Sequence, residues 1–257
     1  RANGSFVSDR LRGETKYLTT PQTDSEQTDS GGIAIFDLQN SFSQGAASQP
    51  LVNWNWKRAK GYMDSVCFTG TGGAGTHAHS LGVAPEMMWV KRRDGNGQWS
   101  VFHSALGKGK YLRIAPYGTD AGAANTQFWN NTDPTSSVFS VGNSDTNGSG
   151  QKFVAYLFAT LDGVSKLGSV AHSGSSTDVN CGFSNGARYV LLKRTDAAGD
   201  WYVWDSVRGI VAGNDPYLLL NNTAAEVTNT DYIDPLSSGF TITGDFTDGT
   251  YIFYAIA

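Results

Sequence analysis

Charge is scarce in this sequence: 16% of its 257 residues are Asp, Glu, Lys or Arg, against roughly 25% in an ordinary soluble domain. The 19 basic and 23 acidic residues leave a net charge of −4. No basic cluster exceeds Lys91-Arg92-Arg93. Without a basic stripe there is no footprint for a phosphate backbone, so no nucleic acid partner is expected. Long apolar runs are also missing: nothing approaches the roughly 20 residues that span a bilayer, so no membrane is expected as a partner either. The start, Arg1-Ala2-Asn3-Gly4-Ser5, does not read as a signal peptide. Cysteine is limited to Cys67 and Cys181. The two can pair, but they lack the close-spaced partners of a zinc site and leave the redox compartment open. Proline is rare at 7, whereas glycine is common at 31 and aromatics reach 12%. That much aromatic surface offsets the chain entropy that keeps polar tails disordered.

The glycines and aromatics recur in order. The run Met87-Met88-Trp89-Val90-Lys91-Arg92 followed by Trp99-Ser100-Val101 returns as Tyr189-Val190-Leu191-Leu192-Lys193-Arg194 and Trp201-Tyr202-Val203, an offset of about 102 residues. Gly107 to Leu112 answers to Gly209 through Leu218, Phe139 to Phe240, and Phe153 to Tyr156 answers to Tyr251 to Tyr254. Val7 to Leu18 aligns without a gap on Val101 to Leu112, and Leu51 to Trp56 aligns on Phe153 to Phe158. The expected division is the carboxyl-terminal half of a first repeat over 1–59, a second repeat over 60–163 and a third over 164–257. Its missing front half would lie outside this sequence or come from another chain. The absent initiator Met and the apolar ending Tyr251 to Ala257 likewise suggest a piece of something longer.

Apolar runs of four to eight residues between Gly, Asn, Asp and Ser clusters indicate strands, and no stripe at i, i+3, i+4, i+7 is long enough for a convincing helix. The expected fold is all-β, in tandem β-sandwich-like repeats of about 100 residues. Met87 to Arg92 and Gln98 to His103 form a hairpin around Asp94-Gly95-Asn96-Gly97, whose Gly and Asn are expected to supply positive φ. The third repeat does the same around Asp196 to Gly199. A short helical turn is expected near Ser104 to Leu106.

Candidate ligand-binding residues cluster on these hairpins. Trp99, Trp201 and Trp204 offer rings for stacking on sugars, with Arg92 and Arg194 donating to hydroxyls. Strands apolar on both faces favour burial of those same tryptophans in a core. His77 and His79 share one face of an extended segment, yet no acid lies close to complete a metal set, and Val179 and Cys181 replace them in the third repeat. Asp145 to Gly150 and Asp245 to Asp248 read as turns rather than calcium loops. Glu86, Asp94, Asp196, Asp205 and Glu226 are the available carboxylates, with no contrasted pair and no nucleophile motif among them. No catalytic residue, metal or cofactor is therefore expected.

The segments Val83-Ala84-Pro85-Glu86-Met87-Met88-Trp89-Val90-Lys91-Arg92 to Trp99, Phe128-Trp129-Asn130-Asn131-Thr132-Asp133-Pro134-Thr135-Ser136-Ser137-Val138-Phe139 and Val154-Ala155-Tyr156 resemble a repeat of large structural proteins of tailed phages, including those of marine bacteria and cyanobacteria. The likeness runs from Trp56 to the end. It departs at Ser80-Leu81-Gly82, where that family often has Asn-Leu-Gly, and at Ser184 to Arg188, where the Pro-Glu-Met element is absent. The resemblance implies a noncatalytic virion protein of tail-fibre or appendage type. It would be a trimer or other homo-oligomer that packs against other virion proteins and touches a host-surface glycan. A carbohydrate-binding adhesion module is the alternative reading, and a glycan depolymerase a third.

Overall fold

The computed structural model describes residues 5–28, 52–115 and 118–257. Three short strands, β1 (Phe6–Val7), β2 (Lys16–Thr19) and β3 (Gln27–Thr28), form an antiparallel sheet in that order. There follow β4 (Met63–Thr69), β5 (Gly75–Ala78), β6 (Met87–Arg92), β7 (Trp99–His103), β8 (Lys110–Arg113), β9 (Ala123–Ala124), β10 (Val138–Val141), the four-residue helix α1 (Ser144–Asn147) and β11 (Lys152–Phe158). The last group is β12 (Ser165–His172), β13 (Thr177–Asn180), β14 (Tyr189–Arg194), β15 (Trp201–Asp205), β16 (Leu218–Leu219), β17 (Ile233–Leu236), β18 (Gly239–Ile242) and β19 (Gly249–Ile256). The protein is all-β and sandwich-like, as its residue pattern predicts. Among the described residues no helix is long and apolar enough to cross a membrane.

Two large antiparallel sheets dominate. One has the order β4-β11-β6-β7-β8-β9, the other β12-β19-β14-β15-β16. Each is faced by a smaller sheet, β10-β5 in the first case and β13-β18-β17 in the second. Strand alternation sends Met88, Val90, Phe102, Phe153, Ala155 and Leu157 to one side, where they pack with Phe139, Val141 and Trp129. In the other large sheet Val190, Leu192, Trp204 and Phe253 do the same, packing with Phe240 and Ile242 of β18. The opposite faces are equally apolar. Met87, Trp89, Trp99, Val101 and Tyr156 from one sheet, and Tyr189, Leu191, Trp201, Val203 and Tyr254 from the other, join Leu18 of β2 in one shared core. The central strands of both sheets are thus buried on both faces, which explains strands without a polar side.

The hairpins form where the sequence places them. Met87 pairs with His103 and Lys91 with Trp99, while Tyr189 pairs with Asp205 and Lys193 with Trp201. The reason for glycine in their turns differs from the expected one: Gly95, Gly97 and Gly199 are absent from the positive-φ positions. The arginine that opens each turn lies across it instead. A Cβ at Gly95 would fall 2.6 Å from Arg92 Cζ, and one at Gly199 would fall 2.8 Å from Arg194 Cβ.

The Asp145 to Gly150 segment is more than a turn, since its first residues lie in α1. Asn143 caps that helix by accepting from the Asp145 and Thr146 amides. At its end Asn147 accepts the Thr71 amide and donates to Thr71 Oγ1 and the Gly73 carbonyl, tying down the loop before β5. The expected turn at Ser104 to Leu106 is present, with the Leu106 and Gly107 amides both donating to the His103 carbonyl. Cys67 and Cys181 are both free thiols.

The two hairpin tryptophans hold the shared core together. Trp99 Nε1 donates to the Thr19 carbonyl at the end of β2, at 2.9 Å. Trp201 Nε1 donates to the Arg113 carbonyl at the end of β8, at 2.8 Å. Phenylalanine at either position would fill most of the space but orphan a carbonyl, at a cost of about 1–3 kcal/mol. Trp99→Phe and Trp201→Phe should each lower the urea midpoint by a comparable amount with an unchanged m-value, because the two bonds are equivalent.

Candidate functional site

Every candidate ligand-binding tryptophan is inside. Trp99, Trp201 and Trp204 are each 0% exposed. Trp204 stacks on Tyr202 with ring centroids 5.6 Å apart and meets Phe246 edge-on. No face of these rings is open to a sugar, so the stacking role expected of them is corrected to a packing role. The arginines are spoken for as well: Arg92 Nε pairs with Asp94 Oδ1 at 2.9 Å and Arg194 Nε with Asp196 Oδ1 at 2.7 Å. The physical reason is that the shared core claims the face on which Trp99 and Trp201 stand, and the sandwich claims the face of Trp204.

The chemistry-bearing residues gather instead at the ends of β1, β7 and β15. After β1, Asp9 accepts the Arg12 amide and pairs with its guanidinium, which also reaches Glu26 and the Val7 carbonyl. Tyr156, from β11, donates its hydroxyl to Asp9 Oδ2 at 2.6 Å. After β15, Asp205 accepts the Val207 and Arg208 amides and pairs with Arg208, which reaches Glu226 and the Val203 carbonyl. Trp54 donates its indole N–H to Asp205 Oδ2 at 2.9 Å. Burial alone would raise both carboxyls. The neighbouring arginines and the Tyr156 or Trp54 donor outweigh it and hold Asp9 and Asp205 below the ordinary range. Such carboxylates are ionised, fully engaged and unsuited to general acid work.

At the end of β7 the same place belongs to His103, with Leu106 where the arginine would be. His103 Nδ1 accepts the Ala105 amide at 3.2 Å, as Asp205 accepts that of Val207. The ring is 0% exposed, and burial pushes its pKa down to about 4. Only the Asp–Arg spacing is contained in Val7-Ser8-Asp9-Arg10-Leu11-Arg12 and Val203-Trp204-Asp205-Ser206-Val207-Arg208; the partners Glu26 and Tyr156, and Glu226 and Trp54, come from elsewhere along the chain.

Two buried lysines complete the polar interior. Lys91 Nζ donates to the carbonyls of Thr23, Asp24 and Arg92, while Lys193 Nζ donates to that of Gly199. Burial pushes both ammonium groups down to about 8. Backbone bonds accompany them: the Gly97 amide donates to the Thr23 carbonyl and the Gly199 amide to the Thr119 carbonyl, both at 2.8 Å.

The histidine pair divides its attention. His77 stacks on Phe68 at 3.9 Å with Nε2 beside Asn147 Oδ1, and His79 Nε2 lies 3.1 Å from the Thr135 carbonyl. Among the described residues no group of three His, Cys, Asp or Glu is placed to hold a metal. An open depression of about 290 Å³ is lined by Leu11, Arg58, Asp64, Cys67 and His79 among others. Arg58 pairs there with Asp64, and burial raises the Cys67 thiol rather than activating it. Among the half-buried aromatic rings, Tyr202, Tyr217 and Tyr232 pack together with Phe246; Tyr217 and Tyr232 stack at 5.8 Å. Residue pattern did not single out that cluster, because Tyr217 is held by an isolated bridge to Val227 and Tyr232 precedes β17, and no strand register predicts their meeting.

These features define a class: an all-β protein whose sheets are covered on both faces and whose polar interior serves packing. The chain belongs to the family described as a domain of unknown function, DUF7483, which matches residues 1–257. No curated protein and no solved structure matches it.

The His103 environment gives a pH signature. Its folded pKa, near 4, lies below the ordinary 6.5. The unfolded chain therefore binds the extra proton first, and stability falls as pH drops from about 6.5 towards 4. His103→Asn keeps an acceptor for the Ala105 amide and removes the titration. Urea melts across that window should show the wild type losing on the order of 1–3 kcal/mol relative to the variant, and parallel curves would refute the assignment.

Proposed function

We propose that this chain is a noncatalytic structural protein of a virion, a tail-fibre-like or other appendage component built of tandem β-domains. The repeats run over 1–59, 60–163 and 164–257, the first being a half copy. The observation that carries this reading is the use made of polar groups: indole and turn amides bond from one copy to the next in matching positions. Trp99 to Thr19 and Trp201 to Arg113 are one such pair, and Gly97 to Thr23 and Gly199 to Thr119 another. Matching strand orders and hairpin registers support the repeat. The likeness of the Val83 to Trp99 and Phe128 to Phe139 segments to tailed-phage structural proteins supports the virion setting. Low charge suits surfaces packed against further copies and other virion proteins, and a trimer or other homo-oligomer is the expected assembly.

Carbohydrate binding is the second reading, and the half-exposed Tyr202, Tyr217 and Tyr232 cluster is what favours it. Ring stacking on an apolar sugar face needs partly open aromatics, and these three are partly open and packed side by side.

Immunogold labelling of purified virions should place the protein on the particle; its absence there would sink the structural reading. Host polysaccharide should leave the emission of the buried Trp99, Trp201 and Trp204 unchanged. Saturable glycan binding that is lost in Tyr217→Ala and Tyr232→Ala would move the assignment to an adhesion module, whereas release of reducing ends would make it a depolymerase.

A further inference from the structure

Two seams between sheets are built alike. The first large sheet meets the β1-β2-β3 sheet where Trp99 Nε1 donates to the Thr19 carbonyl, the Gly97 amide to the Thr23 carbonyl and the Tyr156 hydroxyl to Asp9. The second large sheet meets the first in the same sense: Trp201 Nε1 donates to the Arg113 carbonyl and the Gly199 amide to the Thr119 carbonyl. At this second seam His103 stands in the place of Asp9, with β19 against it.

The latch differs between the two. Asp9 pairs with the Arg12 guanidinium and accepts the Tyr156 hydroxyl, so the first seam closes on an ionised, fully bonded carboxylate. Asp205, where segment 52–56 meets the second large sheet, is held the same way by Arg208 and Trp54. His103 has Leu106 where those arginines stand. Its Nδ1 accepts the Ala105 amide, whereas its buried Nε2 makes no well-formed hydrogen bond, with the Phe253 carbonyl of β19 beside it. The groups around it are neutral. On β6 it pairs with Met87, and the carboxylate of adjoining Glu86 is taken up by the Thr160 amide and hydroxyl. On β19 Tyr254, next to Phe253, lies by Tyr62 and Tyr189, and burial raises all three phenols and keeps them protonated. Among the described residues no charged side chain acts on the His103 ring.

We infer that the seam between the two large sheets is an acid-sensitive joint, which opens locally when His103 takes up a proton while the seam closed by Asp9 holds. Protonation turns Nδ1 from an acceptor into a donor facing the Ala105 amide. It also places an unpaired charge in the shared core. In the open form the ring meets water and titrates in the ordinary histidine range, whereas in the closed form burial depresses it to about 4. The closed seam is therefore at full strength above about pH 6.5 and weakens as pH falls towards 4. Asp9 is held below the ordinary carboxylate range and stays ionised across that window. Lys193, which donates to the Gly199 carbonyl at the joint, and Lys91 at the first seam are depressed only to about 8, so both stay charged throughout. The two seams thus share their indole, amide and lysine bonds and differ in the one group that titrates. Opening at a single seam is a local event, below the free energy of global unfolding.

The test is hydrogen exchange followed by nuclear magnetic resonance on the whole chain between about pH 7 and pH 4.5, with protection expressed against the intrinsic rate at each pH. Trp201 Nε1–H and the Gly199 amide report the joint, and Trp99 Nε1–H and the Gly97 amide report the first seam. Protection of Trp201 and Gly199 should fall roughly tenfold or more across the window, while that of Trp99 and Gly97 holds. In His103→Asn the Trp201 and Gly199 protection should no longer depend on pH. His77, His79, His172 and Asp215, which bond elsewhere, remain in that variant and are thereby controlled. Equal loss at both seams, constant protection of Trp201 and Gly199, or a loss that persists in His103→Asn would each overturn the joint. Should His103→Asn not fold, the contrast between the two seams in the wild type decides the matter.

Discussion

The structure depends on one constraint: each large sheet is apolar on both faces, so each must be covered twice. The small sheets β10-β5 and β13-β18-β17 cover one side. Among the described residues the other side is covered by the neighbouring sheet, by β2 and by Trp54 and Trp56, so a single core draws residues from Leu18 to Tyr254. Burying a Leu- or Phe-sized side chain contributes about 1.5–3 kcal/mol, and the chain has arranged nearly all of its large side chains to collect that gain.

Covering an apolar face with a second sheet leaves polar ends of strands in the interior, and their satisfaction sets the finer architecture. The indole N–H of Trp99 finds a carbonyl at the end of β2 and that of Trp201 one at the end of β8, each on another sheet. Lys91 is tolerated at 0% exposure because three carbonyls surround its ammonium group. Asp9 and Asp205 remain ionised because each meets an arginine and a donor brought from a distant strand. His103 stands at the corresponding position without an arginine and is held neutral by burial.

These arrangements bear on function. Tryptophans, arginines and carboxylates are the usual equipment of a sugar site, yet here each is engaged by packing or by an ion pair. Among the described aromatics that are not fully buried, Tyr202, Tyr217 and Tyr232 form one partly open patch.

The sequence alone determined the all-β class, the hairpins at Met87 to His103 and Tyr189 to Asp205, and the alignment of Val7 to Leu18 on Val101 to Leu112. Each is local or periodic, written in alternation and in turn residues. The double-sided burial of the strands was legible too, in strands with no polar face. What only the tertiary structure decided was the use of each residue. The turn glycines admit an arginine rather than a positive φ, Trp99 and Trp201 brace neighbouring sheets rather than receive ligands, and Asp9 meets Tyr156 while Asp205 meets Trp54. Pairings that span well over a hundred residues follow from how sheets pack, and no local pattern encodes them.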